Sequence, residues 1–336
     1  MNFIAKHLGA LAAGVAATVL MAGAAFADPA VIYDLGGKFD KSFNEAAFNG
    51  AETWKKESGG SYVDFELQND AQREQVLRRF ASQGNNPIVM AGFSQATALG
   101  VVAAEFPDTN FVIIDAVVDA PNVQSILFDE HTGSFLVGAI AALKSATGTV
   151  GFVGGMDVPI IHKFFCGYAQ GVKHVKPDAK VIENYTGTTP AAWNDPVTAG
   201  ELAKAQFDAG ADISFAAAGA SGLGVLQAAA DGGKFSIGVD SNQNYLHPGS
   251  VLTSMMKRVD IAVTTALTEA GDDATFKPGL TILGLEQDAV GYALDEHNAA
   301  LITDDIKTAV DGYKAQIIAG DIKVHDYTTD STCPGV

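Results

Sequence analysis

Cysteine is nearly absent: the 336 residues hold two, Cys166 and Cys333, so at most one intramolecular bridge can form. Basic residues are also scarce, 21 Lys and Arg against 39 Asp and Glu for a net charge of −18. Such a surface repels nucleic acid and anionic lipid. His131, His162, His174, His247, His297 and His325 show no H-x-x-x-H or cysteine-rich spacing, so no metal site is expected. Beyond the first residues no apolar run reaches bilayer length.

Those first residues read as a cleaved signal peptide, 1–27. Lys6 precedes an apolar stretch from Leu8 to Met21, and Ala25-Phe26-Ala27 offers small residues for cleavage. Gly9, Gly14 and Gly23 weaken the segment as a bilayer span. No lipobox cysteine follows, so the expected product starts at Asp28 and is a soluble monomer free in the periplasm. An oxidising compartment makes a Cys166–Cys333 disulfide possible. The alternative is a buried Cys166 and an exposed tail Cys333.

About 300 residues usually divide into two lobes, since single cores stop growing near that size. Apolar runs alternate with amphipathic stretches: AVIYDL before a helix at 43–56, YVDFEL before 71–83, PIVMAG before 94–106, then NFVIID, VQSILF and an apolar helix at 134–144. A second series begins after SATG with TVGFVGG and continues through AKVIENY, ADISFAAAG and FSIGVD. This is α/β architecture with two parallel sheets and a ligand cleft at the strands' carboxyl ends. The expected N-terminal lobe is 28–146 plus about 249–280, and the C-terminal lobe 147–248 plus about 281–332.

Residues just past the strands face such a cleft. They include Asp34, Phe43 and Asn44; Gly92 and Phe93; Asp115 and Asp119; Met156 and Asp157; Trp193; Gly219; Asp240; and Lys257. Carboxylates accept hydroxyls in charge-assisted bonds, which suits a sugar or ribose diol and disfavours phosphate. Phe43 and Trp193 could sandwich a flat ring, and the Asn44 amide could read a ring edge. Each has a plainer reading: Asp34, Asp115 and Asp240 as helix caps, Phe43 as core, Trp193 as a staple before NDP, Lys257 as a solvated lysine.

Three motifs compete. GGKFDKSF lacks P-loop spacing, and GASGLG reverses the glycine intervals of a dinucleotide fingerprint, so no nucleotide cofactor is expected. AGFSQA places Ser94 as in a nucleophile elbow, with His247, His297 and His325 downstream, which keeps a serine hydrolase open; the plainer reading is a capping serine. DEH at 129–131 reads as a solvated helix start.

DLGGKFDKSFNEAAFNGAE, FVIIDAVVDAPNVQSILF, VGFVGGMDVPIIHKFFCGYAQGVK, AAAGASGLGVLQAA, IGVDSNQ and TSMMKRVD, in that order over about 30–324, together resemble the basic membrane protein family of ABC-transporter substrate-binding proteins, which includes purine nucleoside receptors. The resemblance implies a type I periplasmic-binding-protein fold: two Rossmann-like lobes, three crossovers, closure on a ligand and delivery to an inner-membrane permease, without chemistry. It implies that Phe43 and Trp193 stack on a base, that Asp34 and Asn44 lie around it, and that Asp240 and Lys257 surround a ribose. Asp115 and Gly219 match cleft positions. The expected ligand is a purine nucleoside or free purine, with a sugar or riboflavin-like molecule as the alternative. Many members carry a lipobox cysteine, which this chain lacks.

Overall fold

AVIY at 30–33, IVMA at 88–91 and FVII at 111–114 are buried along their whole lengths, as parallel strands covered on both faces must be. The computed structural model describes residues 27–271 and 274–336, so 1–26 of the expected signal peptide lie outside the described residues. The first half of the chain forms β1 (Ala30–Tyr33), α1 (Phe43–Ser58), β2 (Val63–Glu66), α2 (Gln72–Ser82), β3 (Ile88–Ala91), α3 (Ala96–Val102), β4 (Phe111–Ile114), β5 (Val123–Phe128) and α4 (Glu130–Lys144). There follow β6 (Thr149–Met156), α5 (Pro159–Val175), β7 (Lys180–Gly187), α6 (Pro196–Asp208), β8 (Ile213–Ala217), α7 (Gly222–Asp231) and β9 (Phe235–Asp240). The chain ends with β10 (Val251–Lys257), α8 (Val259–Glu269), β11 (Gly279–Leu283), β12 (Val290–Tyr292) and α9 (Asp304–Ala319).

One sheet runs β2-β1-β3-β4-β5-β11 and the other β7-β6-β8-β9-β10-β12. Every pairing is parallel except the antiparallel edge strand β12 on β10. Strand order reverses direction beside β1 in the first sheet and beside β6 in the second, which opens a crevice at the strands' carboxyl ends.

The described chain passes between lobes three times, after β5, after β10 and after β11. Helix α4 packs on α5, α9, β10 and β12, while α8 packs on α1 and β3. The expected boundaries therefore shift. Val251–Lys257, expected in the first lobe, pairs with β9 in the second sheet, and Gly279–Leu283 lies wholly in the first. Periodicity identifies a strand but carries no information about its partner, which is a long-range pairing. The crossings lie side by side: Asp129 N–H donates to Leu283 O at 2.9 Å, and Arg258 N–H to Ala289 O at 2.8 Å.

Helices α4 and α5 approach backbone to backbone through glycines. A Cβ at Gly138 would lie 2.1 Å from Tyr168 O, and one at Gly171 2.1 Å from Phe135 O. The C-terminal residues strap along α5. Cys333 forms a disulfide with Cys166, Cα atoms 5.5 Å apart. Gln170 bonds His325 in both directions, donating to O at 3.0 Å and accepting from N–H at 2.8 Å. No described helix is long and apolar enough to cross a membrane.

Alanine normally stabilises a helix interior relative to glycine, by about 1 kcal/mol. Here the close approach reverses the sign: Gly138→Ala and Gly171→Ala should each lower stability by about 1–3 kcal/mol in urea titrations.

Candidate ligand-binding site

The strand ends build a cavity between the lobes. The first sheet contributes Asp34 after β1, Phe93 after β3 and Asp115 after β4, and α1 opens with Phe43 and Asn44. The second contributes Gly219 after β8, Asp240 at the end of β9 and Lys257 at the end of β10; Trp193 closes the short turn Pro190–Trp193. Of the thirteen residues singled out from the sequence, ten line this space, Gly92 among them, and Asp119, Met156 and Asp157 do not. Asp119 is exposed elsewhere, and Met156 lines an adjoining chamber that shares Asp34, Phe93 and Trp193.

Backbone conformation at the site is unusual. Asp115 and Asp240 are non-glycine residues with φ of 72° and 62°, held left-handed where their strands end. Such strain persists only where surrounding structure over-determines it, and it aims both carboxylates across the cleft. Gly92, at φ 113°, lies where a Cβ would fall 2.3 Å from Asp34 Oδ2. Trp193 lies so close against Gly155 that a Cβ there would be 2.3 Å from the indole.

The floor is a buried ion network. Lys257 Nζ lies 2.6 Å from Asp115 Oδ2 and 2.9 Å from Glu130 Oε1, with all three side chains at most 7% exposed. Its ammonium is also within 5.2 Å of the Phe43 ring centroid, 5.1 Å of Phe128 and 5.6 Å of Phe164. Burial opposes the lysine charge, but Asp115, Glu130 and Asp240 outweigh it and hold Lys257 above its usual range. Burial pushes Asp115 up to about 6, against the pull of Lys257. Burial likewise raises Asp240, which accepts a short bond from Ser42. Burial raises Glu130 too, yet Lys257 and Lys163 prevail and its carboxyl stays low. Asp115 Oδ1 is buried with no hydrogen-bond partner among the described residues.

Several expected roles change. The Asn44 amide is already used: Oδ1 accepts from Asp34 N–H at 3.1 Å, and Nδ2 donates to Asp34 O at 3.1 Å and Gly37 O at 3.2 Å. Both donors are spent on the backbone, so the amide braces the β1–α1 loop. Asp40 caps α1, accepting from the backbone of Ser42, Asn44 and Glu45, while burial lifts it to about 7. Asp34 is held by Arg73 at 3.1 Å and by Ser94, whose hydroxyl donates to it. Among the described residues neither chamber is lined by a histidine, and Ser94 has a carboxylate partner. Glu130 of DEH, expected in solvent, is 1% exposed at the crossing. Its burial was missed because the charge triplet reads as surface; its two lysine partners arrive from α5 and β10. Among the described residues no His, Cys, Asp and Glu group could hold a metal ion.

Residues 27–327 match the family model described as ABC transporter substrate-binding protein PnrA-like. The chain belongs to that family. It is 32% identical to the ABC transporter nucleoside-binding protein BmpA of Lactococcus lactis, covering 88% of each chain. It is 34% identical to an uncharacterized lipoprotein of Pyrococcus horikoshii, over 78% of this chain and 68% of that one. The crystal structure of an ABC transporter solute-binding protein from Aeropyrum pernix K1 is similar with a TM-score of 0.80 and 30% identity, covering 89% and 93% of the two chains. The type I two-lobed fold follows, and family membership assigns a small-molecule ligand and a transporter permease as partner.

One expectation is overturned. A soluble receptor free in the periplasm does not stand, because relatives of this chain are named lipoproteins. The absence of a membrane-crossing helix among the described residues does not distinguish an anchored receptor from a free one.

Removing one partner from a buried ion network leaves the others uncompensated. Lys257→Met should therefore cost about 3–5 kcal/mol of stability by chemical denaturation, far more than a surface lysine.

Proposed function

We propose that this protein binds a purine nucleoside or free purine between its lobes and hands it to the permease of an ABC importer. The observation that carries the reading is Asp115 Oδ1, a buried acceptor without a partner, at a cavity whose walls carry Phe43, Phe93 and Trp193. Aromatic faces take a flat ring at about 1–3 kcal/mol per stacked base. Carboxylates at Asp115 and Asp240 take ribose hydroxyls in charge-assisted bonds. The nucleoside-binding name of the Lactococcus relative supports the same ligand class.

The mechanism follows from the two walls. A ligand that contacts one lobe gains the contacts of the other only when the cleft closes, and that differential affinity shifts the open–closed equilibrium. No residue need do chemistry in this cycle; Ser94 serves by orienting Asp34.

Mass spectrometry of the small molecule released by denaturing the purified protein tests the ligand class directly. A purine or its nucleoside is expected; a flavin or a hexose overturns the proposal. By calorimetry, Phe43→Ala and Trp193→Ala should each weaken purine nucleoside binding by about 1–3 kcal/mol. Asp240→Ala should reduce nucleoside affinity far more than affinity for the free base, and equal losses would remove it from the ribose.

The carboxylate form of Asp115 accepts hydroxyls, and that form disappears as pH falls through about 6. Nucleoside affinity should accordingly drop about tenfold between pH 7 and pH 5. A flat profile across that window removes Asp115 from ligand contact.

A further inference from the structure

The ion network on the cavity floor does not end at Glu130. Glu130 Oε2 lies 3.0 Å from Lys163 Nζ, which also donates to Phe128 O at 2.7 Å and lies 3.3 Å from Asp326 Oδ2. Asp326 belongs to the C-terminal strap, outside the cavity. Its Oδ1 accepts from Thr328 N–H at 2.8 Å and Thr328 Oγ1 at 2.7 Å, which leaves Oδ2 for Lys163. The strap is fastened at several points: the Cys166–Cys333 bond, the Gln170–His325 pair and Tyr327 stacked on His162 with ring centroids 4.8 Å apart.

We propose that the strap is part of the ligand site: Asp326, Lys163 and Glu130 form a chain of alternating charge that positions Lys257 against Asp115. This rests on the reading of the cavity as the ligand site. Glu130 divides its two oxygens between two lysines, so what Lys163 gains Lys257 loses. Both lysines and Glu130 are too deeply buried for water to screen the exchange. The other charged groups facing the chain are Asp240 of β9, acting on Lys257, and His131, on which Lys163, Asp326 and Asp129 act. Burial and Lys163 hold His131 below its usual value, so it adds no positive charge near neutrality.

The chain has a sign. Without Lys163, Glu130 turns wholly to Lys257 and draws it from Asp115. Without Asp326, Lys163 turns wholly to Glu130 and releases Lys257 to Asp115. Lys163→Met should therefore raise the Asp115 titration midpoint and Asp326→Asn lower it, each by roughly half a pH unit or more. Cys333→Ser, which keeps every charge but frees the strap, should move it the same way as Asp326→Asn. Once Lys163 is Met, adding Asp326→Asn should change nothing further, because the second link is already cut.

The experiment follows the Asp115 side-chain carboxyl by carbon-13 NMR in the ligand-free full-length protein, with inosine titrated by calorimetry from pH 5 to pH 8. The expected result is opposed midpoint shifts in the two charge variants, mirrored in the pH profile of inosine affinity. A merely structural role would weaken inosine at every pH and leave the midpoint in place; unchanged midpoints, or shifts of one sign, overturn the proposal. Should Lys163→Met fail to fold, Asp326→Asn and Cys333→Ser, in the strap, decide it alone. If the wild-type protein binds neither inosine nor another purine nucleoside, the nucleoside reading falls separately, because the carboxyl titration needs no ligand.

Discussion

A single ammonium group buried where the chain crosses between lobes constrains this structure. Lys257 ends the strand that leads into the second crossing, Glu130 opens the helix after the first, and Asp115 ends a strand of the opposite sheet. An isolated buried lysine would be too costly to hold charged, so each partner must be present and correctly placed. Three aromatic rings close around the ammonium and exclude water. One of those rings is Phe43, so the wall of the cavity and the charge beneath it are set together.

That coupling explains why the cavity is chemically two-sided. Aromatic faces from α1, from the β3 end and from the turn before α6 suit a flat, weakly polar ring. Beneath them, left-handed backbone at Asp115 and Asp240 turns two carboxylates inward where ordinary strand geometry would not. One oxygen of Asp115 is spent on Lys257 and the other is left without a partner. The acidic interior matches the acidic surface in disfavouring phosphate.

Much of the architecture was legible from residue order. Strands covered on both faces appear as unbroken apolar runs, and glycine or aspartate punctuates their ends, so AVIY, IVMA, FVII and FSIGVD announce themselves. Because ligands in open α/β sheets meet the carboxyl ends of strands, collecting the residues after each run reached ten cavity residues, while Asp119, Met156 and Asp157, collected by the same rule, lie outside it. The roles of those residues were less legible. Asn44 looks like a base reader, but both its amide donors are spent within its own loop, and Ser94 looks like a nucleophile, but its hydroxyl donates to Asp34.

By itself the sequence determined the two-lobed class, the family and which strand ends face the cleft, because local periodicity and ordered motifs carry that information. Only the tertiary structure decided that β10 pairs with β9 and β11 with β5, that Cys333 meets Cys166, and that Glu130 of an apparently solvated triplet is buried between two lysines. These are meetings between residues far apart in the chain, and no local pattern records a partner. The same holds for the unpartnered oxygen of Asp115: a carboxylate is visible in any sequence, but whether its lone pairs are already engaged depends on everything packed around it.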